Sequence, residues 1–562
     1  MTNRHILIAL PAAIAACLPA FGAASKTAAA SANANVPANK QRPNILFIIC
    51  DDMRPEMGCY GYTAAITPNI DRLAASGVQF TRAYCQEALS GPSRASLFSG
   101  YRPSKSGYID NDIRFRTVMP DVVTMPEFFG NNGYATVRLG KIFHEGDKEQ
   151  MESAFNTKAA MPEFPRSADS DFKNPETKKE MSDVRKQMLD KFGPVGVGAL
   201  SMGPVAEFWD APDEEYHDGY ITTSALATMK AITAQGKNFF IGVGYKKPHL
   251  SFIAPKKYWD MYEGRAIPIA QDSLPPKGAP AIALHDSFEL RTRSDVPKYG
   301  PFSDDYQRYL MRSYLSCVTF VDAQLGRLIA GLKEQGLADN TIIVFCGDHG
   351  WHLGEMGVWG KATNYEIAAR VPLLIIDPRI GKKGKCNSVV EFLDLYPTLA
   401  DLAGFPIPSN LQGHSIKDLL EHPSKTGDAV AINQFPCPAL REWAGVKTDP
   451  NVRKAFFDRS LTEIENRIAI ENPDTPLSVF QKDVIGYSIR DNRYRCTAWV
   501  DQSAKPWRVI TAELYDQEKD PLETVNIAVT GGPDGKAPAS SKAIVDRLEA
   551  QMWKVLGFEN NF

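Results

Sequence analysis

The segment Asn44-Ile-Leu-Phe-Ile-Ile-Cys50 has no polar residue after Asn44 and stops abruptly at Asp51-Asp52. A strand with one wet face alternates apolar and polar residues, so an unbroken apolar run calls for a strand buried on both faces, as in a parallel sheet between helices. Similar runs recur at 134–139, 238–245, 341–346 and 372–376, with helical segments between them that include 304–334 and 390–402. Strands alternating with helices predict an α/β fold with a mostly parallel sheet covered on both sides. Two short helices carry their own punctuation. Thr67-Pro68 opens one that Gly77 closes, and Thr124-Met-Pro-Glu127 makes a capping box for another that stops near Gly133. Residues 150–215 replace apolar periods with polar, Pro-rich text and read as an irregular surface excursion of the kind that shapes a site. Beyond about residue 430, short runs at 484–489, 494–500 and 512–515 and an amphipathic helix over 541–556 predict a smaller α+β domain on an antiparallel sheet.

Composition narrows the class. The 562 residues carry 63 Lys plus Arg against 66 Asp plus Glu, a net charge of −3, which excludes a chain built to coat a polyanion such as nucleic acid. A hydrophobic fraction of 44% with 23% charged residues excludes disorder, collagen and coiled coil. The apolar run nearest membrane-spanning length lies at the very start and is broken by Pro11 and Pro19, so no transmembrane span is expected. Arg4 and His5 followed by apolar residues 6–16 read as an export signal over 1–24, cleaved near Ala23 or Ala24; Ile14-Ala-Ala-Cys17 also fits a lipid-modified cysteine. The expectation is an exported protein, periplasmic or at the cell surface. Residues 25–42, rich in Ala, Asn and Ser, read as a linker. Eight further cysteines are too sparse for a disulfide scaffold and leave room for one or two bridges. No C-x-x-C pair or zinc-finger spacing occurs, so metal chemistry falls to carboxylates.

In a parallel α/β sheet, functional groups collect at the carboxyl ends of the strands. Asp51-Asp52 follow the first run, His249 follows the run at 238–245, and Asp348-His349 follow the run at 341–346. Singly these residues have ordinary readings: a capping or solvated aspartate pair, a packed or surface imidazole. Three carboxylates and an imidazole converging on one sheet edge form a site for a hard divalent cation.

The segment Ser90-Gly-Pro-Ser-Arg-Ala-Ser-Leu-Phe-Ser-Gly100 puts Pro92 in a first helical turn, with Ser90 just ahead of an N-terminus whose N–H groups and dipole favour an anion. Arg94 adds a planar cation. Alone, the pattern also fits a capping serine beside a solvated arginine. It resembles the signature of the type I sulfatases of the alkaline phosphatase superfamily: Cys or Ser, any residue, Pro-Ser-Arg, then a stretch ending in Leu-x-Thr-Gly, with Ser99 here in place of the threonine. The resemblance is nearest to the iduronate-2-sulfatase branch and runs from Asn44 over nearly the whole chain. It is carried by Asp51-Asp-Met-Arg-Pro-Glu-Met-Gly-Cys-Tyr-Gly61, Gly140-Lys-Ile-Phe-His144, Gly244-Tyr-Lys-Lys-Pro-His249 and Asp348-His-Gly-Trp-His-Leu-Gly-Glu355. Trp359-Gly-Lys361, Gly486-Tyr-Ser-Ile-Arg490 and Glu513-Leu-Tyr-Asp516 with Asp520-Pro521 continue it.

The resemblance implies an alkaline-phosphatase-like α/β/α sandwich over residues 43–430, the catalytic domain, and a smaller α+β domain with an antiparallel sheet over 431–562. It implies a sulfuric ester hydrolase whose Ser90 is converted to Cα-formylglycine by an anaerobic-type radical maturase; one hydroxyl of the hydrated aldehyde attacks sulfur and the second expels sulfate. By carry-over, Asp51, Asp52, Asp348 and His349 hold Ca2+ with the modified Ser90, and Arg94 and Lys141 stabilise the nucleophile and the sulfate charge. His144 would take a proton when sulfate is eliminated. His249 and Lys361 would contact the sulfate and protonate the leaving oxygen, His249 being the better general acid because its ordinary pKa lies near working pH. Outside the resemblance, Lys361 is an ordinary solvated lysine.

The implied substrate is a sulfated carbohydrate, most specifically the 2-O-sulfate of a uronic acid in a glycosaminoglycan fragment. Its carboxylate needs a further cation, for which Lys247 and Arg490 are the candidates, with Lys246 beside them. Arg490 serves equally well as a brace between the two domains. Other readings remain: a sulfatase of another polysaccharide such as an algal one, a phosphatase or phosphonate hydrolase with two Zn2+ in place of one Ca2+, or an unmodified, non-catalytic sugar-binding homologue.

Overall fold

The structure, a computed structural model, describes residues 42–144, 146–165, 170–194, 202–441, 457–528 and 539–562. The expected signal peptide, Cys17 and the linker up to residue 41 lie outside the described residues.

The main sheet has seven strands: β1 (Asn44–Cys50), β2 (Val78–Tyr84), β3 (Ala135–Gly140), β5 (Phe239–Tyr245), β7 (Thr341–Gly347), β10 (Arg370–Ile376) and β11 (Gly384–Glu391). Two small pairs accompany it, β4 (Ala206–Trp209) parallel to β6 (Phe252–Pro255) and β8 (His352–Leu353) antiparallel to β9 (Trp359–Gly360). The order is β11-β2-β10-β7-β1-β5-β3. β7, β1, β5 and β3 are parallel, with Ile48 opposite both Phe345 and Val243, whereas β10 runs antiparallel to its two neighbours.

β1 shows why the run is apolar throughout. Ile45, Phe47 and Ile49 join a core on one face with Phe80, Leu97 and Phe98. Leu46, Ile48 and Cys50 join one on the other face with Val321, Leu325 and Leu328 of the helix Asp304–Glu334. Successive side chains of a strand point to opposite faces, and each large apolar side chain so buried stabilises by roughly 1.5–3 kcal/mol. That long helix is the described helix long and apolar enough to cross a membrane, yet 72% of its most apolar window is buried inside the protein.

A second sheet is antiparallel throughout, in the order β12 (Ala431–Pro436), β13 (Val484–Arg490), β14 (Tyr494–Asp501), β15 (Arg508–Asp516). Leu548, Met552 and Trp553 of the helix Ala539–Leu556 pack with Ile489, Ala498 and Leu514. Trp499 and Tyr515 pack toward the larger part, against Phe288, Met356 and Tyr365.

Two expectations are corrected and one open question is narrowed. Residues 390–402 are not one helix: β11 runs to Glu391, a 3-10 turn covers Phe392–Asp394 and the helix is Leu395–Leu402. The β-branched Val389 and Val390 pair with β2, and the Asp394 carboxylate accepts the Glu391 N–H at 2.9 Å, which turns the chain there. Residues 150–215 hold an 18-residue helix, Pro175–Phe192, capped by Asn174; among its described side chains Met181 is the one buried, so apolar periodicity left little trace. Among the described residues no disulfide forms: the eight cysteines are unpaired, seven of them buried.

Candidate active site

Four parallel strands deliver their carboxyl ends to one edge. β1 leads into Asp51-Asp52, β7 into Asp348-His349, β5 into the turn bearing His249, and β3 into Lys141. The links between strand ends are short. The Asp51 N–H donates to Tyr245 O at 3.1 Å, Asp348 N–H to Cys50 O at 3.0 Å, and Asp52 N–H to Asp348 Oδ1 at 2.9 Å. Asp52 itself sits in the left-handed region at φ 61°, a conformation aspartate tolerates better than most residues.

Ser90 is the first residue of the fully buried helix Ser90–Ser99, one position further in than expected, with Leu89 as N-cap and Gly100 closing it at φ 75°. A side chain at Gly91 would put a Cβ 2.5 Å from Asn111 Oδ1, so only glycine follows Ser90 here without moving its neighbour. Ser90 Oγ donates to Asp51 Oδ1 at 3.0 Å and lies 3.1 Å from His349 Nε2. Behind it, Arg94 donates through Nε to Asp348 Oδ2 at 3.0 Å and through Nη2 to Asp51 Oδ1 at 3.1 Å, and it caps the Lys141 and Ile142 carbonyls. Lys141 Nζ meets Asp51 Oδ2 at 2.5 Å. Burial pushes the Asp51 carboxyl up, but Lys141, His249 and Arg94 together hold it well below the usual carboxylate range.

The residues present suit a hard cation. Asp51, Asp52, Asp348 and His349 each offer one ligand atom, all within 4.8 Å of one another and all buried. His349 Nδ1 lies 2.9 Å from Gly350 O, a carbonyl that can only accept, so Nδ1 carries the proton and Nε2 turns its lone pair toward the carboxylates, the tautomer of a metal ligand. Asp52 Oδ2 is buried without a hydrogen-bond partner, an expensive state that a cation relieves.

On the other side of Asp52, Lys361 Nζ donates to Asp52 Oδ1 at 2.9 Å and lies 3.2 Å from Glu289 Oε2. His249 Nε2 lies 3.2 Å from Glu289 Oε1 and 3.7 Å from Asp52 Oδ2, while its Nδ1 donates to Leu250 O at 2.6 Å. His144, half-buried three residues beyond Lys141, has Nδ1 3.4 Å from the Gly146 N–H. Ser90, Arg94, Lys141, His249, Lys361 and the four ligand candidates thus converge.

The two substrate-binding assignments do not. Lys247 is buried, and its ammonium is spent on the His249 and Ser251 carbonyls at 3.0 and 2.7 Å, tying the turn that carries His249. Arg490 is buried between the two sheets, where it pairs with Glu366 at 3.2 Å and donates to Asp491 O; the brace is the reading its partners support. Sequence reasoning missed Glu289, which no motif marks, and Tyr314, whose hydroxyl donates to Asp52 O at 2.9 Å from the long helix. Only the folded chain brings either near the strand ends.

Comparison with known proteins bears on the family and the fold. Residues 43–405 match the family described as Sulfatase. The chain is 31% identical over 541 residues to iduronate 2-sulfatase of Mus musculus, covering 86% of this chain and 90% of that one. A structure solved in complex with its substrate D-glucosamine-2-N,6-O-disulfate superposes with a TM-score of 0.64 at 22% identity, over 92% of this chain and 99% of that chain. The phosphonate monoester hydrolase of Agrobacterium radiobacter does so at 0.62 and 19%, over 92% and 96%. At such identities the shared property is the fold.

Proposed function

This chain belongs to the sulfatase family and is a sulfuric ester hydrolase, and from that premise we propose that it removes a sulfate from a carbohydrate, as the 2-O-sulfate of a uronic acid in glycosaminoglycan-derived fragments. The observation that carries the reading is Ser90 Oγ, buried within 3.1 Å of both Asp51 and His349 at the head of its helix and beside Arg94 and Lys141. Ser90 is read as the site of formylglycine, made by a radical maturase before export to the periplasm or cell surface, and Asp51, Asp52, Asp348 and His349 as the ligands of Ca2+. When present, these groups supply a geminal diol as nucleophile and a Lewis acid that eases its ionisation.

The chain's own residues do the rest. Arg94 and Lys141 place two fixed cations beside the reacting position, where a sulfuryl transition state spreads negative charge over its oxygens, and they need no reorganisation to do so. His249 has committed Nδ1–H to Leu250 O, so Nε2 is the nitrogen that exchanges a proton with the leaving oxygen. Lys361, buried against Asp52 and Glu289 and over Trp351 at 5.1 Å, adds a positive charge that these carboxylates hold firmly protonated although burial opposes it.

The same ammonium bears on the phosphatase alternative. Asp52, His249 and Glu289 form a second group of ligand atoms within 4.8 Å, but Lys361 Nζ already lies 2.9–3.2 Å from two of them, which favours one metal ion over two.

The test is mass spectrometry of the Ser90 peptide from active enzyme, with elemental analysis and turnover of 2-O-sulfated uronic-acid disaccharides. Their carboxyl-reduced forms and 6-O-sulfated glucosamine serve as comparisons. An aldehyde at position 90, one calcium and a preference for the uronate are expected. Unmodified serine in fully active protein would refute the mechanism, and equal kcat/KM on all three sugars would refute the uronate assignment alone.

A further inference from the structure

Glu289 lies on the short helix Phe288–Arg291, outside every motif that carries the family resemblance. It is buried, and its two oxygens divide between two different groups: Oε1 lies 3.2 Å from His249 Nε2 and Oε2 lies 3.2 Å from Lys361 Nζ. Those two side chains come from separate strand ends, one on the turn after β5 and one just after β9.

The backbone that presents Glu289 is anchored. Arg291 donates to Asp286 O at 3.0 Å, Pro297 O at 2.7 Å and Gly300 O at 2.9 Å. Ser287 Oγ accepts the Trp359 N–H at 2.8 Å, which ties the helix to β9, two residues before Lys361. Glu289 Oε2 is buried without a hydrogen-bond partner, so its hold on Lys361 is one of charge, and a carboxylate on a rigid support with one oxygen toward each group draws both to one place. Lys361 has a flexible four-carbon stem whose other anchor is Asp52 at 2.9 Å, and the ring of His249 is otherwise held by its Nδ1 bond to Leu250 O and a 3.7 Å approach to Asp52 Oδ2.

We propose that Glu289 is a positioning residue that aims His249 Nε2 and Lys361 Nζ at a common point, the leaving oxygen of the substrate. The inference rests on the sulfatase reading, in which those two groups meet that oxygen. Its consequence depends on the leaving group. A sugar alkoxide is a poor leaving group and needs a well-placed proton donor; a nitrophenolate departs with little help.

The experiment uses the modified, metal-loaded enzyme and Glu289→Gln, which keeps size but faces one of the two donors with an amide N–H, with Glu289→Asp as a second variant. Against a 2-O-sulfated uronic-acid disaccharide, kcat of Glu289→Gln should fall about 30–100-fold with KM within about threefold, and the loss should exceed that on 4-nitrophenyl sulfate at least about tenfold. Equal losses on the two substrates, no loss on either, or a fall in bound metal would overturn the proposal, the last because it would make Glu289 a ligand. A crystal structure of Glu289→Gln carrying unmodified Ser90 tests the same point without turnover. The His249 ring should leave its place against Leu250 O, and a ring and an ammonium that both stay put would overturn the proposal. Wild-type enzyme inactive on the disaccharide would refute the substrate reading, while the crystallographic result would still decide the role of Glu289.

Discussion

Two buried clusters of charge in this protein use nearly the same side chains and come to opposite ends. At the junction of the two sheets, Glu366 Oε1 accepts from Tyr84 at 2.8 Å, and Oε2 accepts from Arg495 at 2.6 Å and Arg490 at 3.2 Å. Both oxygens are satisfied. Glu523, 3.0 Å from the same Arg495, brings a second carboxyl group to the two guanidiniums, and burial and Glu366 drive it up to about 8. At the strand ends, four carboxylates, Asp51, Asp52, Asp348 and Glu289, face three permanent cations, Arg94, Lys141 and Lys361, and Asp52 Oδ2 has no hydrogen-bond partner. A closed cluster holds the fold together, whereas one with surplus acceptors is built to receive something.

The largest test of that difference is Asp348→Asn. Under the proposed metal site it removes a ligand charge and loosens Arg94, so bound metal should fall by at least the roughly 10–100-fold that an outer-shell change costs, and turnover with it. Elemental analysis after gel filtration reads this directly. Full metal content and activity in the variant would erase the distinction drawn between the two clusters.

Glu366→Gln should act the other way, on stability. Breaking a buried pair costs about 3–5 kcal/mol, while kcat/KM of the protein that remains folded should stay within about threefold. Its pH dependence has a defined sign. Burial pushes the Glu366 carboxyl up, but Arg495 and Arg490 outweigh that and hold it at about 2, below its ordinary 4.5. The stabilisation is therefore complete above the ordinary value and is lost as pH falls toward about 2, so denaturant titrations between pH 6 and 3 should show a shallower acid limb in the variant. An unchanged limb would mean that Glu366 is not ion-paired in solution.

The smallest expected effect is that of Arg490→Ala. Arg490 is the more distant of the two guanidinium partners of Glu366, and its loss should cost about 1.5–3 kcal/mol of stability and leave the ratio of kcat/KM on a sulfated uronate to that on its carboxyl-reduced form unchanged. A selective loss on the uronate would return Arg490 to the substrate pocket.

Much of this was legible before folding. β1, β5 and β7 announced themselves as two-faced strands because both of their faces are buried, and the residues just past them could be assigned to one edge because parallel strands end on the same side. β2 and β11 were not legible. β2 mixes Gln, Thr and Arg into its run and β11 opens on exposed residues, so neither shows the continuous apolar signal of the centre. The partners of Lys247 were hidden for a related reason. A lysine two residues before a histidine reads as a ligand until the backbone shows two carbonyls within its reach.

The sequence by itself determined which strands lie at the centre, where the helix at Ser90 begins to within one residue, and which carboxylates and imidazoles gather at one sheet edge. Those features are local, written in apolar runs and short motifs along one stretch of chain. Tertiary structure alone decided that Glu289 joins His249 to Lys361, that Tyr314 reaches Asp52 from the long helix, and that Arg490 braces the junction of the two sheets. Each of these depends on a contact between segments tens to hundreds of residues apart, and such a contact leaves no periodicity in the sequence because the fold creates the proximity that gives it its energy.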